Sequence, residues 1–93
     1  DDWGPRFWSV MHSVAFWYDD EPTPAKQKAA YDFYVSLTQL LPCNGCREHY
    51  AQLLQTYPVD VAVASRMALL QWTVDIHNLV NESIGKEVLS LER

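Results

Sequence analysis

At 93 residues, with 48% hydrophobic and 13% aromatic content, the chain reads as one domain over 1–93. Folding at this size buries only roughly 60–70% of the extended chain's surface, so a bound cofactor or a second copy would reinforce a small core. A formal net charge of −5 without any Lys/Arg run argues against nucleic acid and anionic membrane as partners, and no apolar run approaches the roughly 20 residues that span a bilayer.

Gly4-Pro5 punctuates the start, and Pro5 suits the first position of a helix reaching about Tyr18. On that helix Trp8, His12, Ala15 and Phe16 recur at the spacing of one face. Asp19-Asp20-Glu21-Pro22 is a polar break. Thr23 then caps a second helix with Pro24 at its first position, and Ala30, Phe33, Tyr34, Leu37, Leu40 and Leu41 form its apolar stripe as far as Pro42. The third helix starts at Cys43 or Asn44, turns Tyr50, Leu53 and Leu54 inward, and stops near Tyr57 before Pro58. Val59 to Ala64 reads as a short strand or a loop, with the loop preferred. A fourth helix begins near Ser65 and ends before Gly85, a natural left-handed cap. Its inner stripe is Leu69, Trp72, Ile76, Leu79 or Val80, and Ser83. Ser90-Leu91-Glu92-Arg93 would open a short fifth helix. Four helices joined by short loops predict an all-α four-helix bundle.

Chemistry concentrates in two stretches. The first, Pro42-Cys43-Asn44-Gly45-Cys46-Arg47-Glu48-His49, contains both cysteines of the chain. In the first turn of a helix, the i, i+3 spacing puts the two sulfurs on one face, close enough to oxidise. The free N–H groups and positive dipole end there favour thiolate over thiol. A bridge enclosing so few residues gains little chain-entropy stabilisation, which points to redox chemistry rather than a staple. The second stretch is His77-Asn78-Leu79-Val80-Asn81, followed by Gly85-Lys86. His77 and Asn81 are four apart and share a face, and Asn78 and Asn81 are three apart. Beside an apolar stripe they form a binding edge for a polar ligand. Taken singly, His77 and His12 each read more simply as histidines at the edge of a core.

Trp3-Gly4-Pro5-Arg6-Phe7-Trp8, then His12 and Ala15, Pro22-Thr23-Pro24, the Pro-Cys-Asn-Gly-Cys run and His77-Asn78-Leu79-Val80-Asn81 with Gly85-Lys86 resemble, in order and separation, the Erv/ALR flavin-linked sulfhydryl oxidases. The resemblance extends from Trp3 to about Leu89. It implies a small helical bundle holding FAD at one end and forming homodimers. It further implies that a protein dithiol substrate is oxidised to a disulfide, with electrons passing through flavin to oxygen and giving hydrogen peroxide. By the same resemblance Cys46 is the flavin-proximal thiolate and Cys43 the outer cysteine that exchanges with substrate. Trp8, His12, His77, Asn81 and Lys86 match positions that contact FAD, while Arg6, Asn78 and Val80 lie in the same binding segments. Phe16, Trp17 and Tyr18 occupy the aromatic stretch after the family's histidine, and Phe16 joins the candidate set. His49 has counterparts in some members, as a base or as a packing residue. With only two cysteines here, either a shuttle disulfide lies outside these 93 residues or substrate thiols reach Cys43 directly.

A rival reading makes Cys43, Cys46, His49 and His77 zinc ligands in a helical interaction module. It leaves the aromatic residues and the His77–Asn81 motif without a role. A thioredoxin-like fold needs alternating strands and helices, and a heme attachment site needs histidine where Arg47 stands.

Overall fold

Three of the helices begin where a side chain accepts from an N–H group that the first helical turn leaves free. The computed structural model describes residues 3–83, with α1 over Trp3–Phe16, α2 over Pro24–Leu40, α3 over Asn44–Thr56, a 3-10 turn at Ala62–Ala64 and α4 over Arg66–Ser83. Thr23 accepts from Lys26 N at 3.1 Å, with Pro24 directly after it. Ser65 Oγ accepts from Ala68 N at 3.1 Å ahead of α4. At α3 the same position is taken by Cys43, whose sulfur accepts from Cys46 N at 3.2 Å. A thiol therefore stands where Ser, Thr, Asp or Asn is the usual cap.

No strand occurs among the described residues, and the all-α expectation holds. Helix α1 closes earlier than Tyr18: the Tyr18 N–H bonds to Ala15 O rather than continuing the α pattern, and its hydroxyl reaches Val63 O at 2.7 Å. The segment read as a loop after Pro58 contains the 3-10 turn, because Val59 O accepts from both Ala62 N and Val63 N. Val59, Ala62 and Val63 are buried, so this apolar run serves as a plug for the core. Gly85 and the proposed fifth helix lie outside the described residues. Among those residues no helix is long and apolar enough to cross a membrane.

Helix α1 packs on α4 and α2 on α3, while the 3-10 turn bridges α4 and α2. The core they enclose is centred on Tyr34, Leu69 and Ile76, each fully buried, with Met11, Ala15, Leu37, Tyr50 and Trp72 around them. Large rings supply the apolar area, and each polar tip ends on a backbone carbonyl. Tyr34 donates to Met11 O at 2.7 Å, Tyr50 to Tyr34 O at 2.6 Å and Trp72 Nε1 to Tyr57 O at 2.8 Å. These bonds tie α2 to α1, α3 to α2 and α4 to the end of α3. Burial pushes the Tyr34 and Tyr50 hydroxyls well above their usual pKa, so both remain donors. Leu40, expected in the stripe of α2, is 67% exposed instead. The chain leaves the helix at Leu41, which caps α2 onto Leu37 O and takes the inner place itself.

Candidate functional site

A cavity of about 920 Å³ opens where α1, the start of α3 and the last turns of α4 meet. Its size is at the upper end of the roughly 300–1,000 Å³ range of small-molecule sites. From α1 come Gly4, Pro5, Phe7, Trp8, Ser9, Met11 and His12. Cys43, Gly45, Cys46, His49 and Tyr50 line it from the cap and first turns of α3, with Leu41 just before them, and His77, Val80 and Asn81 complete it from α4. A Cβ added at Gly4 or Gly45 would meet nothing within 4 Å, so both lining glycines border open space.

On the wall formed by α1 and α4, three rings and a hydroxyl are joined in series. Trp8 and His77 stack nearly parallel, 4.0 Å between centroids and 9° between planes. His77 Nδ1 lies 2.9 Å from His12 Nε2, and His12 Nδ1 lies 3.0 Å from Thr73 Oγ1. Thr73 in turn donates to Leu70 O at 2.8 Å. Burial lowers the His12 pKa, which favours the neutral imidazole. Asn81, one turn beyond His77, is buried at the cavity wall.

Where α3 lines the cavity, Cys43 and Cys46 are free thiols within one turn. Both cysteines sit at the start of α3, yet their acidities diverge. Cys43 is lowered, first by the hydrogen bond that its sulfur receives from the Cys46 side chain and then by the Cys46 backbone N–H. Cys46 is raised, because it is the donor in that bond and because burial adds to the effect. In the dithiol state the sulfur more inclined to thiolate is therefore the capping one, and Cys46 packs against the core. Arg47 holds this turn in place: its guanidinium donates to Leu41 O and to Asn44 Oδ1, and its backbone N–H to Cys43 O at 3.0 Å.

Of the residues singled out in the sequence, Trp8, His12, Cys43, Cys46, His77, Val80 and Asn81 converge on the cavity. Arg6 is exposed, and neither it nor Asn78 lines the wall. Phe16 is 48% exposed, edge-on to Trp17 and beneath the Arg66 guanidinium, away from the lining. Lys86 lies outside the described residues. Thr73 was not singled out, although a polar residue one turn before His77 within an apolar stripe is the signal that marks it. Met11 was also passed over, although it lies three residues after Trp8 on the same helical face. Among the described residues no group of three or more His, Cys, Asp or Glu side chains is placed to hold a metal ion, and His77 Nδ1 is engaged by His12. The zinc reading is not favoured.

Fold and site together define a helical protein with a dithiol in the wall of a ligand-sized cavity. The chain belongs to the Erv1/Alr family, whose profile matches residues 5–93. It is 41% identical over 91 residues to a probable FAD-linked sulfhydryl oxidase of Acanthamoeba polyphaga mimivirus, a match covering 97% of this chain and 64% of the relative. An FAD-linked sulfhydryl oxidase of Oryza sativa subsp. japonica is 32% identical, with 97% of this chain and 45% of the relative covered. The chain thus spans about half to two thirds of the length of these relatives. The crystal structure of the FAD binding domain of Erv1 from Saccharomyces cerevisiae superposes with a TM-score of 0.90 at 27% identity, covering 96% of this chain and 83% of that one.

Proposed function

We propose that this chain is an FAD-binding thiol oxidase domain that converts protein dithiols to disulfides through Cys43 and Cys46. The observation that carries this reading is the placement of the CxxC pair in the wall of the same cavity that Trp8, His12, His77 and Asn81 line, in a chain of the Erv1/Alr family. The residues suit a flavin nucleotide: a parallel aromatic pair for a planar ring, open space at two glycines, and an apolar wall edged by a few polar side chains. Trp8, His12, His77, Val80 and Asn81 would hold it, and the resemblance adds Lys86. When bound, FAD supplies a two-electron acceptor beside the dithiol and a route for the pair to oxygen, which becomes hydrogen peroxide.

The protein's own steps begin with the oxidised Cys43–Cys46 pair. A substrate thiolate attacks Cys43, forming a mixed disulfide and releasing Cys46 as the leaving thiolate. The second substrate thiol then attacks its own sulfur in that mixed bond, so that the substrate leaves oxidised and both site cysteines remain reduced. Cys43 keeps the negative charge more readily and accepts the hydrogen of Cys46. Only the proton on Cys46 must then leave as the electron pair is withdrawn into the cavity and the disulfide re-forms. Val10 on α1 and Leu40 on α2, both exposed, support a homodimer through these helices.

The visible absorption spectrum of the purified protein tests the reading. A flavin band is expected; its absence even after incubation with FAD overturns the proposal. Cys46→Ser should retain FAD while losing flavin reduction by dithiols. Cys43→Ser should show a long-wavelength charge-transfer band from the remaining thiolate, and the same band in the Cys46 variant instead would reverse the two roles.

A further inference from the structure

Arg47 follows Cys46 directly, in the first turn of α3, and is half-buried. Its guanidinium donates to two acceptors that flank Cys43 in the chain: Leu41 O, at the cap of α2, and Asn44 Oδ1. Leu41 O also accepts the Cys43 N–H at 2.8 Å, and Cys43 O accepts the Arg47 N–H at 3.0 Å. The segment carrying Cys43 is thus tied to Arg47 before, at and after the cysteine. These bonds fix the backbone from which the Cys43 sulfur accepts the Cys46 N–H at 3.2 Å. A planar fork holds two acceptors at a set spacing, which an ammonium on a flexible stem does less well. The guanidinium also keeps its charge at any working pH. Cys43, lowered first by the bond from the Cys46 side chain and then by the Cys46 N–H, is lowered further by that charge.

We propose that Arg47 is a positioning residue for the dithiol: its guanidinium clamps Leu41 O to Asn44, holds Cys43 as the cap of α3, and so makes the Cys43–Cys46 disulfide a stronger oxidant. Oxidation of a substrate dithiol breaks the Cys43–Cys46 bond, forms a disulfide in the substrate and leaves the electron pair on the two site sulfurs. Of the two substrate protons, one ends on Cys46 and, where Cys43 stays thiolate, the other goes to solvent. Every interaction that favours the reduced, charged form of Cys43 moves this exchange toward oxidised substrate. The clamp does so by keeping the Cys46 N–H on the Cys43 sulfur, a bond that charge strengthens. In the disulfide that sulfur carries no charge and gains nothing comparable. The alternative role for Arg47 is to close a surface turn, and then its replacement would leave the exchange constant unmoved. The inference rests on the proposed role of Cys43 and Cys46 as the working redox pair and makes no use of the flavin.

Anaerobic equilibration of the purified protein, with whatever flavin it retains, against mixtures of reduced and oxidised glutathione reads the exchange. Two glutathione thiols reduce the pair and leave as one glutathione disulfide, and alkylation followed by mass spectrometry measures the protein in each state. Arg47→Met should shift the constant about tenfold toward the protein disulfide, a midpoint about 30 mV more negative. Arg47→Lys should lie closer to the methionine variant than to wild type, because the charge remains but the fork is lost. Asn44→Ala should shift the constant in the same direction by a smaller factor. An unchanged constant in Arg47→Met overturns the proposal, and a wild-type constant in Arg47→Lys overturns the clamp in favour of charge alone. If Arg47→Met does not fold, Arg47→Lys and Asn44→Ala decide. The expected shifts in a protein that shows no flavin band even with FAD added would support the role of Arg47 while removing the flavin reading. A wild-type pair that forms no disulfide at any glutathione ratio would remove the redox reading and the proposal together.

Discussion

Two ring systems in this protein use similar side chains to opposite ends. In the core, Tyr34 and Trp72 meet edge to face, 5.2 Å apart at 72°, and each passes its polar hydrogen to a backbone carbonyl. At the cavity, Trp8 and His77 lie face to face and half-buried, and His12 links side chain to side chain, with Nε2 2.9 Å from His77 Nδ1 and Nδ1 3.0 Å from Thr73 Oγ1. The core arrangement closes on itself, with the ring O–H and N–H hydrogens used in joining helices. The cavity arrangement keeps flat ring surface in the wall of an open cavity. A protein of this size can leave that space because the first system holds the helices together without it.

The contrast breaks most readily at Tyr34. Replacing it with Ala removes a fully buried ring and its bond to Met11 O, and the loss expected for a large aromatic is about 3–5 kcal/mol. At roughly 4–8 °C per kcal/mol for a small domain, the thermal midpoint should fall by at least about 12 °C. A shift of only a few degrees by circular dichroism would show that the core is not where the fold is anchored.

Next in size is the cofactor. Under the proposed function, free FAD at a thousand times its dissociation constant stabilises the native state by about 4 kcal/mol, and stripping it should lower the midpoint correspondingly. His77→Ala should weaken nucleotide retention and reduce this increment, with less effect on the apo form than Tyr34→Ala. Calorimetry of apo and holo protein checks both. An apo midpoint within a few degrees of the holo one would mean that the cavity wall is as self-sufficient as the core.

A smaller effect should follow pH. Burial lowers the His12 pKa from 6.5, so below that value the unfolded chain binds a proton that the folded protein resists. Stability from this group is therefore fully present above about 6.5 and is lost as pH falls from there toward the lower folded-state value. Denaturant unfolding between pH 5 and 8 should show this slope in wild type and a shallower one in His12→Asn. Equal slopes would assign the dependence to other groups. The smallest change is expected at Lys28, whose bond to Asp32 at 2.8 Å is exposed on α2. Lys28→Ala should leave both flavin retention and the melting midpoint unchanged within error.

Residues close in the chain encode what fits within one or two helical turns. Thr23-Pro24 starts α2, the CxxC pair opens α3 and Ser65 precedes α4, because a cap and its acceptor geometry involve residues at most three or four apart. The same short range gave the stripes around Tyr34, Tyr50, Leu69, Trp72 and Ile76, and the motif order marked seven of the cavity residues in advance. Periodicity says which residues share a face but not what that face meets. Phe16 sits at the helical spacing of His12 yet ends beside Arg66 at the surface, and Leu40 yields its inner place to Leu41. The division of acidity between Cys43 and Cys46 depended on which sulfur caps the helix and which donates. Above all, the series from Thr73 through His12 to His77 spans 61 and 65 residues between its partners. Only the packing of α1 on α4 decides it, since a hydrogen bond requires approach within about 3 Å and nothing local in either helix sets that distance.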